Sequence, residues 1–138
     1  MKTHRILAVA LLAVLLVGCG GAKYVEEKTL LTTVTAAMEA LTSAIDKADA
    51  PPAVAAALTA FTDKVESLLP AMKKLNTDHP EWETDPPQEL EGALEKFSTA
   101  SLGFQTVMPK LMQMAGDNAD DPQLQEALGK FQSLVSGL

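Results

Sequence analysis

Apolar residues recur along most of the chain at alternating steps of three and four positions. This spacing places them on one face of an α-helix, where they pack against another helix. There are four such stripes, the third with Ser101 at one of its positions: Leu31, Val34, Met38, Leu41, Ile45 and Ala48; Val54, Leu58, Phe61, Val65, Leu68, Met72 and Leu75; Leu90, Leu94, Phe97, Ser101, Phe104, Met108 and Leu111; and Leu124, Leu128, Phe131, Val135 and Leu138. Alanine is abundant and β-branched and aromatic residues are few, which also favours helices. The pattern therefore predicts an all-α fold with four helices.

Helix start and stop signals flank these stripes. Prolines precede three of them, in Pro51-Pro52, Asp85-Pro86-Pro87 and Asp121-Pro122. Proline is tolerated in the first helical turn, and the two aspartates suit the N-cap. Gly116 and Asn118 follow the third stripe, as helix-terminating residues do. The predicted helices span about 24–48, 52–75, 87–115 and 122–137.

The connections between these helices predict the topology. The first and third are short, which favours antiparallel neighbours and an up-down-up-down antiparallel four-helix bundle. Pro70 and Pro109 fall inside stripes, where proline removes a backbone donor, so each helix is expected to kink or end early there. The fourth helix is the shortest and should leave part of one bundle end uncovered.

A faint repeat, Ala-Leu-x-x-Phe, occurs at residues 57–61, 93–97 and 127–131. Duplication of a helical hairpin would produce it, and so would independent convergence of similar core helices. Either origin predicts that Phe61, Phe97 and Phe131 share one layer of the core.

The first residues form a separate segment. Lys2 and Arg5 precede an uninterrupted run of aliphatic residues at positions 6–17. Twelve residues rise only about 18 Å as a helix, less than the roughly 30 Å of a bilayer core. A basic start followed by a short apolar run is typical of a secretory signal helix.

The end of that run, Leu16-Val17-Gly18-Cys19, resembles the lipobox of bacterial lipoproteins at all four positions. The resemblance implies that Cys19 receives a diacylglyceryl group, that cleavage precedes it, and that its new amino group is acylated. The expected parts are a signal peptide over 1–18, a lipidated tether over 19–23 and a helical domain over 24–138. Gly20, where an inner-membrane protein of this family carries aspartate, implies the outer membrane facing the periplasm if the cell is Gram-negative.

Charge restricts the partners of this domain. Without residues 1–18, nine lysines and no arginine remain against eighteen carboxylates, a formal charge of −9. Such a surface repels nucleic acid and anionic headgroups, so we expect no nucleic-acid partner. Contact with membrane lipid is expected through the acylated Cys19.

Residues suited to catalysis are scarce. His79 is the one histidine after residue 18, and Asp78 beside it is expected to be solvated rather than part of an acid–base pair. GxSxG, HExxH and glycine-rich phosphate loops are absent from the sequence. A CxxCH motif and a haem-facing histidine are also absent. We therefore expect neither an enzyme nor a bound cofactor.

A metal or small-ligand carrier is the alternative function. Met108 and Met112 lie four residues apart, so two thioethers on one helix face could bind Cu(I). The acidic stretches 78–85 and 117–121 could bind Ca2+, although neither has EF-hand spacing. Core packing of the methionines and helix capping by Asp85 and Asp121 explain the same residues without a metal.

Trp82, the only tryptophan, lies between Glu81 and Glu83 in the longest connection. It could plug the end of the bundle, or it could anchor a partner, since tryptophan is enriched among interface hot spots. A third option, insertion into the membrane interface, is disfavoured by four neighbouring carboxylates. The sequence thus predicts a membrane-tethered, non-enzymatic module that binds or scaffolds another envelope protein, with Trp82, Glu81 and Glu83 as candidate contacts.

Overall fold

The computed structural model describes residues 23–137, and the predictions for the signal segment and for Cys19 lie outside them. The four α-helices are α1 (Val25–Lys47), α2 (Pro51–Asp78), α3 (Gln88–Asp117) and α4 (Pro122–Gly137), with a 3-10 turn over Pro80–Glu83. Residues 23–137 contain no β-strand. The all-α prediction is confirmed, and every helix boundary lies within three residues of its predicted position.

One predicted aspartate cap is confirmed and the other is wrong. The Asp121 carboxylate accepts a hydrogen bond from the backbone N–H of Leu124 at 2.9 Å, which is an N-cap interaction. Asp85 does not cap α3, because the helix begins only at Gln88, after both prolines. At the other end of α3, the Asn118 side chain donates to the Met114 carbonyl oxygen at 2.9 Å.

The internal prolines do not end their helices. α2 continues through Pro70 to Asp78, and α3 continues through Pro109 to Asp117. Both prolines are solvent-exposed. Water can therefore satisfy the carbonyl groups that each proline leaves without a helical donor.

Helix packing does not simply follow the order of the helices along the chain. α1 packs extensively along α3 and also along α2, and α2 packs along α4, whereas α2 and α3 contact each other little. The main core draws from the later part of α1 and α3, the first part of α2, and α4. Its most deeply buried members are Leu41, Ile45, Val54, Leu58, Leu111 and Leu124.

Phenylalanines form the centre of this core, although not the predicted set. The Phe131 ring contacts Phe61 and Phe104, each with a centroid separation of 5.9 Å. Phe97 is half-buried and does not belong to this core cluster, so its predicted place there is wrong. Phe104 takes that place because it is seven residues closer to the connection between α3 and α4.

Several leucine side chains are only partly buried at the end of the domain where α1 begins. Leu31, Leu75 and Leu94 are half-buried there, in contrast to the fully buried leucines of the main core. In the described part of the chain, no helix combines the length and the hydropathy needed to cross a bilayer.

Candidate functional site

The connection between α2 and α3 folds tightly against the end of the domain. The backbone N–H of Trp82 donates to the His79 carbonyl oxygen at 3.2 Å, within the 3-10 turn that places the indole. The backbone N–H of Asp85 donates to the Glu81 carbonyl oxygen at 2.9 Å. These local hydrogen bonds position Trp82 over the half-buried ends of the helices.

Three aromatic rings meet at this turn, two from the turn itself and one from a distant part of the chain. The indole of Trp82 stacks on the His79 imidazole, with 3.9 Å between centroids and 8° between planes. Tyr24 packs edge-to-face against the same indole at 5.0 Å and 89°. This aromatic cluster, Tyr24, His79 and Trp82, joins the residue before α1 to the loop after α2.

Beside the aromatic cluster lies a mostly apolar cavity of about 170 Å³. Trp82 forms part of its wall together with side chains from three helices and the loop. The lining residues are Leu31, Leu75, Asn76, His79, Pro80, Trp82, Glu83, Pro86, Leu90 and Leu94. A cavity of this size can accommodate one aromatic or branched aliphatic group.

Charged groups surround the aromatic cluster without forming a catalytic pair. The Nδ1 atom of His79 lies 3.3 Å from a carboxylate oxygen of Glu81, while Asp78 pairs with Lys74 one helical turn away. The hydrogen bond that Lys74 donates to the Asp78 carboxylate raises the pKa of Lys74 above its usual value. Asp78 and His79 therefore pair with other residues and not with each other.

The three predicted contact residues differ in exposure. Trp82 is half-buried, with its ring packed against Tyr24 and His79 while part of it remains accessible. Glu81 and Glu83 are exposed, and Glu83 also lines the cavity. Contact of these residues with a partner stays a prediction.

The candidate metal ligands are in dissimilar environments. Met108 packs against the main core, whereas Met112 is 61% exposed. Within residues 23–137, no group of three or more histidine, aspartate or glutamate side chains is close enough together to hold a metal ion. Neither acidic stretch, 78–85 or 117–121, thus brings three such side chains together.

Sequence reasoning did not identify Tyr24 as part of this site. The residue follows the tether and belongs to no apolar stripe, and its partner Trp82 is 58 positions away. Only the composition could have drawn attention to this pair, because Tyr24 is the single tyrosine and Trp82 the single tryptophan of the chain.

Comparisons of the chain with protein-family models, curated proteins and solved structures found no match.

Proposed function

We propose that this protein is a lipid-anchored component of the cell envelope whose helical domain binds another envelope protein through the Trp82 loop. Residues 1–18 act as the signal peptide, residues 19–23 as the tether and residues 24–138 as the binding domain. The protein is anchored through acylated Cys19, in the outer membrane facing the periplasm if the cell is Gram-negative. Its role is non-enzymatic.

The contact between Tyr24 and Trp82 is the observation that carries this proposal. Tyr24 lies five residues after Cys19, and five extended residues span at most about 17 Å. Because the Tyr24 ring touches the Trp82 ring, the loop lies at the end of the domain from which the tether leaves. Its partner is therefore an envelope protein that exposes a surface close to the bilayer.

An up-down-up-down topology is part of the proposal. The main core combines the late residues Ile45 and Leu111 of α1 and α3 with the early residues Leu58 and Leu124 of α2 and α4. This combination is expected when helix direction alternates along the chain. Methyl NOEs from Ile45 to Leu58 and Leu124 would test it, and their absence would contradict the alternation.

The alternative function, a carrier of Cu(I) or another small ligand, has weaker support than partner binding. A Cu(I) site at Met108 and Met112 would need to withdraw Met108 from its packing against the core. A titration with Cu(I) decides the point: we expect the same weak binding before and after both methionines are replaced by leucine. A large loss of affinity in the variant would favour the carrier.

Site-specific crosslinking in living cells tests the partner proposal. A photoreactive residue is placed at Glu83 in the full lipidated protein, and at Asp120 as a matched exposed acidic position in another connection. We expect a reproducible crosslink to an envelope protein from position 83 and none from position 120. Equal crosslinking from both positions would contradict a role for the loop.

Two substitutions separate the loop from the anchor. Trp82→Ala should abolish the crosslink, whereas Trp82→Phe should retain much of it because the phenyl ring can still pack on Tyr24 and His79. Circular dichroism and thermal melts of both variants show whether the helices remain folded. Cys19→Ser should release the protein from the membrane fraction, and continued fractionation with membranes would refute the lipid anchor.

A further inference from the structure

We propose that the cavity beside Trp82 binds a small organic amine, whose aromatic or branched aliphatic group fills the cavity while its ammonium group pairs with Glu83. This inference goes beyond the proposed function, because it assigns the loop a small molecule as well as a protein partner. The site is also separate from Met108 and Met112, the candidate Cu(I) ligands, since neither of them lines this cavity.

The cavity is a preformed space between three helices and the loop. Leu31 of α1, Leu75 of α2 and Leu90 of α3 contribute to its walls, and the loop closes it with Trp82 and Pro86. The aromatic cluster holds the indole in this wall through ring contacts with centroid separations of 3.9 and 5.0 Å. A pocket whose walls are already in place binds a ligand without the cost of ordering them.

The volume of the cavity sets the size of the ligand. At about 170 Å³, the cavity slightly exceeds the roughly 150 Å³ of an apolar protein cavity that binds benzene. Most of its lining is apolar and comes from leucine, proline and tryptophan side chains. A group of the size of one six-membered ring therefore fits, and burial of that group supplies most of the affinity.

The charge of the lining selects the polar group that such a ligand carries. Glu83 is the one carboxylate among the lining residues, and no ion pair within residues 23–137 engages it. The other titratable residue of the lining, His79, lies 3.3 Å from the Glu81 carboxylate. Because Glu83 is exposed as well as lining the cavity, it attracts an ammonium group at the solvent edge and repels a carboxylate there.

The lysines nearest in sequence to the lining residues do not reverse this selection. Four exposed lysines lie on the surrounding helices without lining the cavity: Lys28, Lys73, Lys74 and Lys96. Lys74 is paired with Asp78, and Lys28 and Lys96 border a separate crevice between α1 and α3. Glu83 therefore supplies the charge of the cavity wall, and its exposure limits the ion pair to a small, salt-sensitive share of the affinity.

Three probes with the same ring test the site: benzylamine, benzyl alcohol and benzoate. The purified full-length protein is titrated with each, and binding is followed through the NMR signal of the indole N–H, which is unique because Trp82 is the only tryptophan. Benzylamine should shift this signal saturably, benzyl alcohol should bind about threefold more weakly, and benzoate should bind more weakly still. The absence of a saturable shift with benzylamine, or equally tight binding of benzoate, would overturn the proposal.

Filling the cavity tests whether the ring binds inside it. Leu94→Phe enlarges a side chain of the cavity wall and should abolish the saturable shift for all three probes. The matched control, Leu102→Phe, makes the same change on α3 at a position that is 60% exposed and outside the lining, and should leave affinity unchanged. Circular dichroism shows whether both variants retain their helices. Equal binding to the two folded variants would refute the cavity as the site.

The role of Glu83 is tested at exposed positions, where substitution does not disturb the fold. Glu83→Gln should weaken benzylamine binding by about threefold and leave benzyl alcohol unaffected. The control, Asp85→Asn, removes an exposed carboxylate of the same loop that does not line the cavity, and should retain the preference for the amine. An equal loss in both variants would mean attraction by the acidic loop as a whole and would contradict the assignment. Failure of amine binding leaves the partner-binding function standing, because no partner takes part in these titrations.

Discussion

Tyr24 has a left-handed backbone conformation, with φ of 62° and ψ of 33°, immediately before α1. This region is unfavourable for a residue with a side chain, and it typically costs about 1–3 kcal/mol. The edge-to-face contact with Trp82 offsets part of that cost. The chain therefore maintains a strained residue at the junction between the tether and the domain.

We expect Tyr24→Ala to expose the Trp82 indole and to lower the free energy of unfolding by about 1 kcal/mol, the usual value of an aromatic pair. The emission of Trp82 should shift to longer wavelength. Tyr24→Phe retains the ring and should leave both the emission and the thermal midpoint nearly unchanged. A red shift of the same size in both variants would contradict a role for ring packing.

Thr62 is the second unusual residue. Its side chain is 1% exposed, and its hydroxyl group has no hydrogen-bond partner among residues 23–137. By contrast, the buried Thr35 donates its hydroxyl hydrogen to the Leu31 carbonyl oxygen at 2.7 Å. An unsatisfied buried hydroxyl costs free energy that a methyl group of the same shape does not.

Thr62→Val should therefore raise the free energy of unfolding by about 1 kcal/mol, measured by urea denaturation. The control is Thr35→Val, which removes an existing hydrogen bond and should give no such gain. Equal effects of the two substitutions would show that the Thr62 hydroxyl is satisfied in solution.

Among the elements, two helices carry glycine at positions where a side chain would fit. A Cβ atom added at Gly92 in α3 or at Gly129 in α4 would meet no other atom within 4 Å. Both glycines are exposed and lie inside helices. Glycine at such positions adds backbone entropy to the unfolded state without any packing benefit.

Gly92→Ala and Gly129→Ala should each stabilise the protein by about 0.5–1 kcal/mol, observed as a higher thermal midpoint. The two sites belong to helices without extensive mutual packing, so the double variant should show the sum of the single effects. Destabilisation by either alanine would mean that the position is not an open helical site in solution.

The sequence predicted the elements better than their contacts. Helix boundaries depend on local signals, and Asp121 could be identified as a cap because its reach is three residues. Asp85 shows the limit of such signals, since two prolines separate it from the first turn that it was expected to cap. The aromatic cluster had no local signal, because Tyr24 and Trp82 meet only through tertiary packing.

At the scale of the whole molecule, packing quality differs along the domain. Leu111 is 1% exposed in the main core, whereas Leu94 is half-buried beside the cavity. Removing a fully buried leucine side chain costs transfer free energy and leaves a void, and a half-buried leucine loses less of both.

Leu111→Ala should lower the free energy of unfolding by about 2–5 kcal/mol. Leu94→Ala, the same chemical change beside the cavity, should cost clearly less. Urea denaturation of the two variants under identical conditions provides the comparison. Equal losses would mean that Leu94 is as tightly packed in solution as Leu111.

The pairing of α1 with α3 and of α2 with α4 also determines how the chain reaches its native state. Each pair is separated in sequence by an intervening helix, so the largest interfaces form only after long loops close. Refolding should consequently be slower than in a bundle of this length whose helices pack mainly on their sequence neighbours. The N-terminal hairpin of α1 and α2 lacks its interfaces with α3 and α4 until those helices dock, so this docking is the step that commits the whole chain to its fold.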